Sequence, residues 1–84
     1  FSSLYYMNKQ MTVDKLKDCV NKTFSDKNCG NVFRIKGFMS DGSGWLELNA
    51  TKKETVLKPI KEGQEIFIVI GEDLNEEAVN KYWD

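Results

Sequence analysis

Eighty-four residues make one small domain, residues 1–84, because a chain shorter than roughly 100 residues cannot divide into two units that each bury a core. Twelve Lys and Arg against thirteen Asp and Glu leave a net charge of −1, both signs scattered, so no basic stripe or acidic tail selects nucleic acid or an anionic membrane as partner. No histidine is present, which removes the commonest general base and transition-metal ligand and with it any Ser-His or Cys-His nucleophile.

In chain order, the apolar and aromatic residues Phe1 to Met7 read as a first strand that stops at "NKQ". Thr12 can cap a helix with Asp14 in its first turn, and Val13, Leu16, Val20 and Phe24 recur at spacings of three and four, with Cys19 beside them. "SDKNCG" ends that helix. "NVFRIKGFM" alternates with period two, which puts Phe33, Ile35 and Met39 on one face and Val32, Arg34, Lys36 and Phe38 on the other. "SDGSG" is a hairpin turn into "WLELNA", where Leu46, Leu48 and Ala50 oppose Trp45, Glu47 and Asn49.

"ETVLKPI" is a weaker strand, and Pro59, lacking a backbone donor, assigns it to an edge or a strand end. "EIFIVI" is apolar on both faces, Ile66, Ile68 and Ile70 on one and Phe67 and Val69 on the other, as suits a central strand. After Gly71, Asp73 with Glu76 three residues later suggests an acidic capping box, followed by Leu74, Ala78 and Tyr82 at spacings of four. The predicted fold class is α+β: a two-layer sandwich with a mainly antiparallel sheet of four to five strands and two helices on one face, close to ferredoxin-like. Two helices cover one side of such a sheet, so Phe38, Trp45, Phe67 and Val69 are expected on a second, apolar face.

Chemistry-bearing motifs are scarce. Cys19 and Cys29 lie ten positions apart with no second cysteine near either, which does not make a zinc pair; the expectation is two reduced thiols in a cytoplasmic protein. No signal peptide or apolar run of ~18 residues occurs, and the sequons at Asn21 and Asn49 carry little meaning without secretion. The P-loop and GxGxxG patterns are absent, and "NKTF" departs from the guanine-reading Asn-Lys-x-Asp motif at Phe24. The glycine turn in "IVIGEDLNEEAV" has the layout of a phosphate site, but Glu72, Asp73, Glu76 and Glu77 would repel a phosphate at that helix start. Those carboxylates, or Cys19 and Cys29, supply the alternative reading, a small metal-binding domain, although their spacing does not match an EF-hand. Arg34 and Lys36 share one side of their strand and precede Gly37, a cationic strip that could dock on an acidic surface.

"FRIKG", then a hairpin, then "IFIVIGEDLNEEAV" together resemble the C-terminal domain of the CobW family. The matching positions are Arg34, Lys36 and Gly37, then Ile70, Gly71, Asp73, Leu74 and Glu77, and the resemblance spans essentially the whole chain. It implies a parent protein with a P-loop GTPase domain and a cysteine-rich metal site, acting in cobalamin biosynthesis or in delivery of zinc or cobalt to client proteins. The chain carries neither the GTPase motifs nor the CxCC metal motif. The expectation is therefore a non-catalytic accessory domain without a cofactor of its own, which contacts the GTPase domain of the same parent and, in some settings, a metal-receiving client. A chain running from Phe1 to just beyond Tyr82 and Trp83 reads as a piece excised from that parent. Arg34, Lys36, Gly37, Phe38, Trp45 and Phe67 are the candidate interaction residues.

Overall fold

A computed structural model describes all 84 residues. Five strands, β1 (Ser2–Met7), β2 (Asn31–Ser40), β3 (Trp45–Ala50), β4 (Thr55–Ile60) and β5 (Ile66–Glu72), form one sheet in the order β1-β5-β2-β3-β4, every neighbouring pair antiparallel. Helices α1 (Val13–Ser25) and α2 (Glu76–Trp83) pack on one face. The α+β two-layer architecture is as the alternation patterns predict. Since β1 and β2 each run antiparallel to β5, they run parallel to each other, and β1, α1 and β2 form a split β-α-β unit whose gap β5 fills.

Thr12 caps α1 by accepting a hydrogen bond from the Lys15 N–H at 3.1 Å, which satisfies one of the orphan donors of the first turn. Leu16, Cys19, Val20 and Thr23 then face the sheet. Between α1 and β2, a 3-10 turn at Lys27–Cys29 ends in Gly30 at φ +99°, where an added Cβ would run into the Asp73 carbonyl. The Asp41 carboxylate organises the β2–β3 hairpin: it accepts from the Ser43 and Gly44 N–H groups, both at 2.9 Å. These donors hold its carboxyl below the usual carboxylate range.

Three local expectations need correction. A β-bulge between Val32 and Arg34 breaks the alternation of β2, so that Val32 is buried (1% exposed) and Phe33 is turned out (40%). A bulge inserts one unpaired residue, so the residues before it change face relative to a strict period-two pattern. The acidic capping box does not form: Asp73 takes a left-handed conformation, φ +53°, and α2 starts later with Asn75 as its cap, accepting from the Ala78 N–H at 3.2 Å. The buried stripe of α2 is accordingly Val79 and Trp83, with Ala78 and Tyr82 at its margin.

The core between sheet and helices contains Leu16, Val20, Ile35, Met39, Leu48, Phe67, Val69, Val79 and Trp83. Trp83 anchors it, with the Phe67 ring 5.2 Å and the Tyr6 ring 6.1 Å from its own. Its indole N–H donates to Thr23 Oγ1 (2.8 Å), whose hydroxyl donates to the Cys19 carbonyl (2.6 Å). Buried polar atoms are thus paired as low-dielectric surroundings demand.

A candidate docking face on the open side of the sheet

The strand register places Ile66, Ile68 and Ile70 of β5, Arg34, Lys36 and Phe38 of β2, and Trp45, Glu47 and Asn49 of β3 on the face away from the helices. Tyr5 and Met7 extend it along β1, and Val56, Lys58 and Ile60 along β4. The isoleucines, Phe38 and Trp45 are only partly buried there. The turn after β4 leans on one end: a Cβ at Gly63 would stand 3.2 Å from Phe38 and 3.3 Å from the Trp45 ring. A depression of about 220 Å³ lies beside it, lined in part by Lys36, Phe38, Glu47, Ile66 and Ile68.

Arg34 lies opposite Ile70 and Lys36 opposite Ile68. Neither cation takes part in an ion pair, whereas Lys58 sits 3.5 Å from Glu47. Two unpaired cations amid partly buried isoleucines form a surface that is apolar and positively charged at once. A second copy of such a surface is a poor partner; an acidic surface with its own apolar centre is a good one.

Of the six candidate interaction residues, the fold brings four together on this face: Arg34, Lys36, Phe38 and Trp45. The other two belong to the opposite side. Phe67 is fully buried beneath Trp83. Gly37 is buried with it, and an added Cβ would meet the Ile66 carbonyl oxygen and the Phe67 ring. Both faces of β5 are apolar, so its alternation could not say which one the helices cover, and Val69 turns inward with Phe67. Ile66, Ile68 and Ile70 are the face residues that alternation misassigned for the same reason.

Cys19 and Cys29 are free and buried. Burial pushes both thiols above their ordinary pKa, away from the thiolate that ligates metals. Cys19 Sγ donates instead to the Tyr82 carbonyl at 3.1 Å. No three His, Cys, Asp or Glu side chains gather in a geometry that could hold a metal ion, and no helix is long and apolar enough to cross a membrane.

Among solved structures, the chain is similar to the Zn(II)-bound YjiA GTPase from E. coli, with a TM-score of 0.73 at 16% sequence identity. The two share a fold. The match covers 96% of this chain and 28% of the GTPase chain, so the architecture described here corresponds to a little over a quarter of that protein. No protein-family model and no curated protein matches the sequence.

Proposed function

We propose that the chain is a non-catalytic accessory domain, C-terminal to a CobW-type metallochaperone GTPase, that docks through its open sheet face on the GTPase domain of its parent. The observation that carries this reading is the uncovered face itself: unpaired Arg34 and Lys36 set among Phe38, Trp45, Ile66 and Ile68. The shared fold with part of a zinc-bound GTPase and the "FRIKG" and "IGEDL" stretches support the choice of partner. On this reading the nucleotide and metal chemistry resides in the remainder of the parent, in cobalamin biosynthesis or in zinc or cobalt delivery, and the domain supplies a surface. A metal-receiving client is a second occupant of the same surface.

Titrating the isotope-labelled chain with the nucleotide-binding portion of its parent, followed by NMR, tests it. Shifts should concentrate on Arg34, Lys36, Phe38, Trp45 and Ile68. The double substitution Arg34→Glu, Lys36→Glu should weaken binding by about 1–3 kcal/mol through charge reversal at the contact, with an unchanged thermal midpoint because both side chains are exposed. Shifts confined to α1 and α2 would refute the assignment of the face.

A further inference from the structure

The two edges of the sheet are built differently. In an antiparallel ladder, hydrogen-bonded pairs alternate with unbonded ones, so a single bond sets the phase of a strand. The Thr51 N–H donates to the Glu54 carbonyl at 2.8 Å, and with the β3–β4 register this turns the backbone groups of Thr55, Leu57 and Pro59 toward the free edge of β4. That edge has a proline where a donor would stand and Lys58 beside it, two devices that discourage a further strand.

β1 has neither. The Asn8 N–H donates to the Glu65 carbonyl at 2.8 Å, which with the β1–β5 register makes Ser2, Leu4 and Tyr6 the residues bonded to β5. The N–H and carbonyl groups of Ser3, Tyr5 and Met7 therefore point outward, and no side chain of the protein bonds to them. The strand carries no charge and no proline. Its large side chains on the open face are among the most exposed apolar groups of the molecule: Tyr5 is 63% and Met7 58% exposed, with Phe1 ahead of them at 91%.

We propose that the β1 edge pairs with the β1 edge of a second copy of this chain, antiparallel about a two-fold axis at Tyr5. The occupant follows from self-complementarity. With Tyr5 opposite Tyr5, Ser3 of each copy falls opposite Met7 of the other, so all three outward-facing residues of both strands are bonded at once. Every residue then meets one on its own face of the sheet, as a continuous sheet requires. Leu4, partly buried in one copy, gains Tyr6 of the other as its cross-strand neighbour. An isologous contact of this kind closes on itself and does not propagate. The result is a ten-stranded sheet with all four helices on one side and the two open faces continuous on the other. It stands independently of any docking on those faces.

Sedimentation equilibrium of the chain over a range extending to millimolar concentration tests this. The expected behaviour is a reversible shift toward twice the 9.7 kDa monomer mass. Tyr5→Lys and Tyr5→Glu each set like charges opposite one another at the axis and should weaken association at least ~tenfold, while an equimolar mixture of the two recovers a heterodimer. Tyr5→Pro gives a second readout, since it removes an outward N–H together with the phenol ring and leaves every bond to β5 in place; it should be folded by circular dichroism and monomeric. An unsubstituted chain that remains monomeric at millimolar concentration overturns the proposal. So does a dimer that both charged variants leave intact, or a mixture that fails to associate.

Discussion

Tyr82 and Asp26 show how one contact can tie two elements together. The Tyr82 hydroxyl donates to Asp26 Oδ2 at 2.6 Å, which joins α2 to the end of α1, and Asp26 also accepts from the Asn28 N–H at 2.9 Å. The Tyr82 bond first, then the Asn28 N–H, holds the Asp26 carboxyl below its ordinary 3.8, and the same bond pushes the Tyr82 hydroxyl from 10.0 up to about 12. The two shifts bound a pH window. Asp26, depressed on folding, contributes stability above its unfolded value that is lost as pH falls through the folded one. Tyr82, raised on folding, contributes stability below 10.0 that is lost as pH climbs toward about 12. Tyr82→Phe removes the donor, so the variant should be less stable than the unsubstituted chain at neutral pH. The difference should shrink once Asp26 is protonated. Urea unfolding at pH 7 and at pH below ~3 checks this, and a deficit that stays constant with pH would rule out the carboxylate's part in it. The buried thiols bear on the metal-binding alternative at the same scale. Under the proposed function, calorimetry with zinc, cobalt and calcium shows no saturable heat, because thiolates at Cys19 and Cys29 would form only against the cost of burial and no three carboxylates converge for a hard cation.

Among the elements, β2 and β5 carry the lesson about what pattern can and cannot reveal. Gly37 on β2 faces Phe67 on β5 in register, and the glycine leaves the space that the Phe67 ring takes. Gly37→Ala forces a methyl group against the Ile66 carbonyl and that ring and should cost about 1–3 kcal/mol, measured by thermal or denaturant unfolding; an unchanged midpoint would mean the two strands separate freely there. Much of this layout is legible in the sequence. Pro59 marks an edge strand, the doubly apolar β5 marks a central one, and Trp45, Phe38, Arg34 and Lys36 separate correctly from Leu46, Leu48 and Ala50. What is not legible is long-range. The extra residue at Phe33 depends on how β2 meets β5, and the inward turn of Phe67 depends on which face the helices choose when both are apolar. The start of α2 depends on Asp73 lying against Gly30, a contact across more than forty residues. A closer signal existed for Trp83, which follows Val79 at a helical spacing of four, but Ala78 and Tyr82 keep the same spacing and conceal it.

For the molecule as a whole, order in the chain and order in the sheet are at odds. β5 is the last strand made, yet it sits between β1 and β2 and pairs with both. A chain ended at Ile60 retains four strands but leaves β1 without a neighbour and removes Phe67, Val69 and Trp83 from the core. Such a fragment should show neither cooperative thermal unfolding nor dispersed amide resonances, and a fragment with both would mean that β2, β3 and β4 fold unaided. The same feature sets a schedule during synthesis. Until the ribosome has released the chain to about Glu72, the nascent domain cannot close its sheet, and Tyr6, Ile35 and Leu16 stay open to solvent and to one another. Non-local pairing of this kind is slow and exposes apolar surface while it waits. The domain is thereby bound to close its sheet only after translation of its final strand.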